Sequence, residues 1–146
     1  MASLCASTIS NAAAALVTLG AAAATTTVTL TLATGSGTAD ALNFIPINAA
    51  TTTAVTVNDI ETLTITNGAS TTAGSAATIT DLSATSMKTL NIAGLAGPVI
   101  TNAITGTALT AVNDTHTGAG AVTLNISNAT AAVTYTGGTA TGATTC

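Results

Sequence analysis

Apolar and polar residues alternate in short stretches along this chain, and the stretches repeat. Residues 28–32 read Val-Thr-Leu-Thr-Leu, and residues 62–65, 89–92 and 122–126 carry close copies of the same phrase. Strict alternation is typical of a strand with one buried and one solvent-facing side. Recurrence of a phrase at roughly 25 to 35 residues indicates stacked structural repeats. The pattern therefore predicts an all-β repeat protein.

Further short strands are predicted between these copies, at spacings of roughly 10 to 14 residues. They cover residues 42–47, 55–57, 77–79, 99–100, 109–112 and 132–135. Within the first of them, Pro46 has no N–H to donate to a ladder, so we expect it at a sheet edge or a bulge.

Two all-β architectures fit such spacing, namely an antiparallel sandwich and a parallel β-solenoid, or β-helix. Sandwich cores usually need bulky aromatic residues, and this chain has one Phe and one Tyr. A solenoid core is narrow and is filled by stacked Val, Ile, Leu and Ala. We therefore predict a β-solenoid of about six rungs of roughly 20 to 27 residues, about 30 Å tall, with a sandwich as the alternative.

The first 27 residues differ from the rest because they are rich in Ala and Thr. Alanine favours helix, so Ser10 could cap a short helix that runs through Leu19. The competing interpretation places a strand at residues 16–19, and we favour the strand because strands follow throughout the chain. The predicted organisation is an N-terminal segment, residues 1–27, followed by a solenoid repeat domain, residues 28–146.

Charge is scarce in this chain. Its 146 residues include one cationic side chain, Lys88, and five acidic residues, for a net charge of −4. This excludes an electrostatic nucleic-acid binder, which needs a basic patch. Residues 12–24 have no basic flank typical of a secretory signal, and no apolar run reaches the roughly 18 residues of a membrane helix. A neutral surface rich in hydroxyl groups favours association between copies.

Two cysteines, Cys5 and Cys146, lie near the two ends of the sequence. They can form a bond within the chain, form a bond between chains, or remain free, and the spacing does not choose among these. Neither end has charged residues to cap a solenoid. We therefore expect either a piece of a longer solenoid or a chain that stacks on its neighbours.

Residues 60–66, 77–84 and 87–94 together resemble the β-strand repeats of RTX-type bacterial surface-layer (S-layer) proteins. The shared features are a Thr- and Ala-rich, Lys-poor composition and a phrase of the form hydrophobic-Glu-Thr-Leu-aliphatic-Ile. Residues 60–65 carry this phrase as Ile-Glu-Thr-Leu-Thr-Ile, with Thr64 at the aliphatic place. The resemblance extends over residues 28–142 and is one of style and repeat.

The resemblance implies a secreted, non-enzymatic protein that covers a bacterial cell as a lattice held together by calcium. The calcium motif of that family is Gly-Gly-x-Gly-x-Asp, in which carboxylate and carbonyl oxygens surround the ion. The nearest match, residues 137–143, lacks the Gly at the fourth place and the Asp at the sixth. Calcium is thus a cofactor expected from the resemblance alone.

No residue set in the sequence predicts an active site or a metal site. His116 and Asp114 are two residues apart, but no nucleophile elbow or oxyanion motif accompanies them, and we expect a solvated turn histidine. Asp59, Glu61, Asp81 and Asp114 are expected to be separate solvated or turn-capping carboxylates, Asp81 in an Asx turn. The predictions are no catalytic, no cofactor-binding and no metal-binding residues.

These observations favour a structural, self-assembling extracellular β-solenoid from a bacterial surface layer or fibre. Its partner would be further copies of itself. The core of each chain would be built by Leu63, Ile65, Leu90, Ile92, Leu124 and Ile126. The alternative is an ice-binding or glycan-binding module, because Thr-x-Thr pairs such as Thr62 and Thr64 recur. A fragment of an adhesin stalk would share the fold.

Overall fold

The computed structural model describes residues 6–12, 17–21, 26–32, 37–46, 51–67, 77–118, 121–137 and 144–145. Side-chain burial and contacts are described for residues 27–32, 37–46, 51–67, 77–118 and 121–137.

The described residues form thirteen strands and no helix. The strands are β1 (Ala6–Ala12), β2 (Val17–Ala21), β3 (Thr26–Leu32), β4 (Ala41–Pro46), β5 (Thr51–Thr56), β6 (Thr62–Asn67), β7 (Thr78–Ser83), β8 (Thr89–Gly94), β9 (Val99–Ile100), β10 (Ala111–Asp114), β11 (Val122–Thr123), β12 (Thr134–Thr136) and β13 (Thr144–Thr145).

Odd-numbered and even-numbered strands form two separate parallel sheets, which we call the odd sheet and the even sheet. The odd sheet has seven strands and the even sheet has six, each stacked in chain order. Each turn of the chain adds one strand to each sheet. The rungs differ in length, with 27 residues from Thr64 to its partner Asn91 and 22 residues from Asn91 to its partner Asn113. The predicted β-solenoid is confirmed, and the antiparallel sandwich is wrong. The predicted count of six rungs is slightly off.

The N-terminal residues belong to the same stack. Strand β1 pairs in parallel with β3, and β2 pairs in parallel with β4. The alternative of a helix from Ser10 through Leu19 is therefore wrong. In-register pairing with the next rung outweighs the helix propensity of alanine, which is only a weak prior. The proposed boundary between residues 27 and 28 stays a prediction.

Inward side chains stack in columns that run from rung to rung. In the even sheet, Leu42, Leu63, Leu90 and Val112 occupy equivalent positions in successive strands. All four are buried, and so are Leu30 and Val55 of the odd sheet. Of the six predicted core residues, Ile126 alone is only partly buried.

The four copies of the repeated phrase do not all stack on one another. The copies at residues 62–65 and 89–92 pair in direct register as β6 and β8. The copies at residues 28–32 and 122–126 fall in the odd sheet, and the latter forms a strand only over Val122–Thr123. A period-2 pattern marks the buried face of a strand in either sheet, so it does not identify the sheet.

Turns between odd and even strands share one geometry. The Ile60 N–H donates to the Val57 carbonyl at 3.3 Å, and the Met87 N–H donates to the Ala84 carbonyl at 3.1 Å one rung later. At the opposite corner, Gly94 has a φ of 99°. A Cβ there would lie 1.9 Å from the Asn67 carbonyl oxygen, so the turn requires glycine.

Two local predictions are wrong. Pro46 is the last residue of β4, an interior strand between β2 and β6, so it is at a strand end rather than at a sheet edge or bulge. Asp81 lies within β7, where Leu82 continues the buried column, so there is no Asx turn. Asp81 instead accepts a hydrogen bond from Asn102 Nδ2 at 2.6 Å.

The column structure predicts unequal responses to truncation of inward and outward side chains. Ile92→Ala should lower the free energy of unfolding by about 2 to 5 kcal/mol, because the Ile92 side chain is fully buried. Thr62→Ala, at a half-buried outward position of the same sheet, should change it by less than about 1 kcal/mol. Urea unfolding followed by circular dichroism measures both. Equal losses from the two variants would contradict the assignment of faces.

Candidate functional site

The outward face of the even sheet is built from neutral residues. Its positions are Ala41, Asn43, Ile45, Thr62, Thr64, Thr66, Thr89, Asn91, Ala93, Ala111, Asn113, Thr115, Thr134 and Thr136. None is charged, and most are half-buried because each side chain leans on its counterpart in the next rung. We call this set the neutral face.

Hydrogen bonds between rungs fix the side chains along the middle of the neutral face. Thr66 Oγ1 donates to Asn43 Oδ1 at 2.7 Å. Asn91 Nδ2 donates to Thr64 Oγ1 at 3.3 Å, and Asn113 Nδ2 donates to Asn91 Oδ1 at 3.0 Å. Because Asn43, Thr64, Asn91 and Asn113 are in register, they form a polar ladder along the stack. Such a ladder reduces the entropy that these side chains would lose in a contact.

The outward face of the odd sheet also carries hydroxyl groups in register. Thr29 pairs with Thr56, Thr56 with Ser83, and Ser83 with Thr105. This face differs from the neutral face because it includes the exposed carboxylate of Asp81.

A groove of about 490 Å³ opens where the odd sheet is narrowest, beside the two-residue strands β9 and β11. Apolar residues Ile100, Leu124 and Ile126 line it together with the polar residues Thr123 and Asn125.

His116 is not the solvated turn residue that the sequence predicts. It is 1% exposed, and its Nδ1 lies 2.5 Å from Asp114 Oδ1. Asp114 occupies the column of Phe44, Ile65 and Ile92, so a carboxylate stands where earlier rungs place large apolar side chains. Tyr135, one rung further, donates its hydroxyl to Asp114 Oδ2 at 2.6 Å.

These donors set the charge state of Asp114. Burial alone would raise the pKa of this carboxyl group, but the hydrogen bonds from Tyr135 and His116 outweigh it, so the pKa lies below its ordinary value of 3.8. A carboxylate with a lowered folded-state pKa stabilises the fold above its ordinary pKa, and the contribution is lost as the pH falls.

The other predicted carboxylates do not converge. Asp59 and Glu61 lie in the turn before β6, Asp81 lies on the odd sheet, and Asp114 lies in the core. The expectation of solvated side chains is wrong for Glu61 and Asp114, which are buried. Among the described residues, no group of three or more His, Cys, Asp or Glu side chains could hold a metal ion. Cys5, Cys146 and most of the glycine motif at residues 137–143 lie outside the described residues.

Comparison with known proteins adds no relative. No protein-family model matches the chain, and the comparisons with curated proteins and with solved structures found no match either. In the part of the chain that the structure describes, no helix is long and apolar enough to cross a membrane.

The Asp114 cluster predicts a specific response to acid. Tyr135→Phe removes a donor from a buried carboxylate, so unfolding at pH 7 should become easier by about 1 to 3 kcal/mol. The pKa of Asp114 should rise toward its ordinary value, and the acid-unfolding midpoint should move to higher pH. Circular dichroism during acid titration measures this midpoint. Thr136→Ala, at an exposed position of the same strand, is the control. Identical midpoints for both variants would argue against a role for the Tyr135 hydrogen bond.

Proposed function

We propose that the chain is a structural, non-enzymatic β-solenoid that assembles with copies of itself into an extracellular layer or fibre on a bacterial surface. The observation that supports this most directly is the neutral face. It presents hydroxyl, amide and methyl groups in fixed columns and contains no charged side chain.

Electrostatics favours this face for contact between copies. Exposed sheet surfaces of soluble proteins normally carry Lys or Glu residues that oppose association. The neutral face has none, so two copies can approach without desolvating a charge. Its inter-rung hydrogen bonds hold the side chains in one arrangement, and identical faces can therefore meet in a regular lattice.

The bacterial, extracellular setting comes from the resemblance of residues 60–97 to RTX-type surface-layer repeats. The low charge and the abundance of Thr and Ala agree with that resemblance. Calcium as a lattice cofactor is part of the same proposal.

A charge placed on the neutral face should block assembly without unfolding the chain. Thr64→Lys adds a cation at the centre of the polar ladder, where like charges from facing copies would repel. We expect the concentration needed for assembly to rise at least about tenfold. Electron microscopy over a concentration series measures the assembled state, and circular dichroism checks the fold.

Thr107→Lys is the matched control, because Thr107 is exposed in the turn before β10 and lies on neither sheet face. Fibres or sheets of wild-type and Thr107→Lys protein, but not of Thr64→Lys protein, would support the proposal. Parallel samples with reductant, and with calcium or a chelator, test whether cysteines or an ion link the copies. Equal assembly of both lysine variants would contradict the neutral face as the contact surface.

A glycan-binding or ice-binding module is the second candidate. The hydroxyl column from Thr29 to Thr105 and the groove beside β9 and β11 favour it. Monodisperse wild-type particles under every condition of the microscopy experiment would favour this candidate over self-assembly.

A further inference from the structure

The last rung of the described stack leaves part of the core uncovered. In an interior rung, the turn from odd to even strand places Val57 and Ile60 in the core, and both are buried. In the last rung Ile126 and Ala129 form the same turn, with the Ala129 N–H donating to the Ile126 carbonyl at 3.0 Å. Here the two side chains are only partly buried. This end of the stack therefore exposes apolar groups at positions that interior rungs cover.

One column of the even sheet shows the same change along its length. In successive strands from β2 to β12 it contains Val17, Leu42, Leu63, Leu90, Val112 and Tyr135. The residues from β4, β6, β8 and β10 are buried, whereas Tyr135 is only partly buried. Strands β2 and β12 are the two edges of the sheet. The column therefore begins at Val17 on one edge and stops at a partly exposed tyrosine on the other.

The two cysteines of one chain adjoin opposite edges of the odd sheet. Cys5 directly precedes β1 in the sequence, and Cys146 directly follows β13. These strands are the outermost of seven, and at about 4.8 Å per strand they lie about 29 Å apart. Consecutive Cα atoms are about 3.8 Å apart, and a disulfide requires Cα atoms within about 7 Å of each other. A disulfide within one chain is therefore out of reach.

The register of the odd sheet nevertheless leads to both cysteine positions along one column. This column contains Thr26, Thr52, Ile79 and Ile100. At one edge Ala6 pairs with Thr27, so the residue before Ala6 is in line with Thr26. At the other edge Thr123 pairs with both Val99 and Thr145, so the residue after Thr145 is in line with Ile100. Continued by one residue at each edge, the register leads to Cys5 and to Cys146.

We propose that copies of the chain join head to tail, with β12 and β13 of one copy pairing with β2 and β1 of the next. The joint continues the columns, since Tyr135 then meets Val17 of the next copy and the partly buried side chains of the last rung are covered. Cys146 then lies beside Cys5 of the next copy. Paired parallel strands are about 4.8 Å apart, within the about 4.4 to 6.8 Å that a disulfide spans between Cα atoms. A disulfide can therefore lock the joint.

This inference rests on the proposed self-assembly and adds a contact along the stack to the contact through the neutral face. The same two surfaces do not meet their own copies, so the contact is heterologous and repeats without closing, which gives a linear chain of molecules. The disulfide requires an oxidant, for which a low-molecular-weight disulfide suffices. The two cysteine thiols lose two electrons and two protons as the sulfur–sulfur bond forms, and the oxidant accepts them and leaves as two thiols.

The test is oxidation of the reduced 146-residue chain with oxidised glutathione, followed by electrophoresis in detergent without reductant. Wild-type protein should give a ladder of dimers and longer species that reductant returns to monomer. Cys5→Ser and Cys146→Ser should each lose the ladder, because each lacks one partner of the link. An equal mixture of these two variants should restore cross-linking but stop at the dimer, since each molecule then carries one cysteine.

Ala129→Lys tests the joint without altering either cysteine. A lysine at this partly buried position would have to be desolvated between copies, so the ladder should be lost. Circular dichroism checks that the variant folds. Thr107→Lys is the matched control, because Thr107 is exposed in the turn one rung earlier, and it should keep the ladder. Should Ala129→Lys fail to fold, the mixture of cysteine variants decides alone.

Three results would overturn the proposal. They are wild-type protein that stays monomeric after oxidation, a ladder undiminished in folded Ala129→Lys protein, and dimers of a single cysteine variant as abundant as those of the mixture. Thr64→Lys separates this joint from the neutral face, because it should block assembly through the face and keep the ladder. A missing ladder with intact assembly through the face counts against the joint alone, and the reverse counts against the neutral face alone.

Discussion

Parallel pairing in register is the constraint on which the rest of this structure depends. Each residue of a rung lies directly beside its counterpart in the next rung. A column therefore either repeats the same kind of side chain or has to accommodate a different one between its neighbours. The column of Phe44, Ile65 and Ile92 shows the repeated case. Rung length is free to vary, because the turns absorb the differences: Asp40 and its counterpart Glu61 are 21 residues apart, whereas Thr64 and Asn91 are 27 apart. Register is thereby preserved where the strands pair, and the insertions lie at the corners.

Because charged residues are scarce, each buried carboxylate among the described residues must be stabilised by its own local contacts. Asp114 interrupts an apolar column, but hydrogen bonds from His116 and Tyr135 stabilise its carboxylate. Asp40 and Glu61 receive no comparable set of donors, and Asp40 Oδ2 is left with none. An ordinary globular protein would place an arginine or lysine beside such a pair. This chain has one lysine and no arginine, and among the described residues Lys88 makes no ion pair with either carboxylate.

The alternation of apolar and polar residues predicts the inward face of most strands correctly, because side-chain direction in a strand depends only on parity. It fails for features that depend on register. The burial of Asp114 follows from the alignment of Ala111-Val112-Asn113-Asp114 with residues 89–92, in which Asp114 takes the place of Ile92. That signal was present in the sequence, since the two segments share Asn at the third place. The pairing of Asp40 with Glu61 had no such signal, because no repeated phrase marks a turn whose length varies between rungs.

The separation of charge from the neutral face of the even sheet bears on the proposed function. Asp40, Asp59, Glu61 and Lys88 all lie in turns that lead into the even sheet, while the neutral face between the corners holds Thr, Asn, Ala and one Ile. Charged side chains on a strand face would oppose association between copies most effectively, because sheets associate through these large flat surfaces. Charge at the corners leaves the neutral face open to contact. The proposed face-to-face packing needs this distribution, because a charge on the neutral face would have to be desolvated when two copies meet.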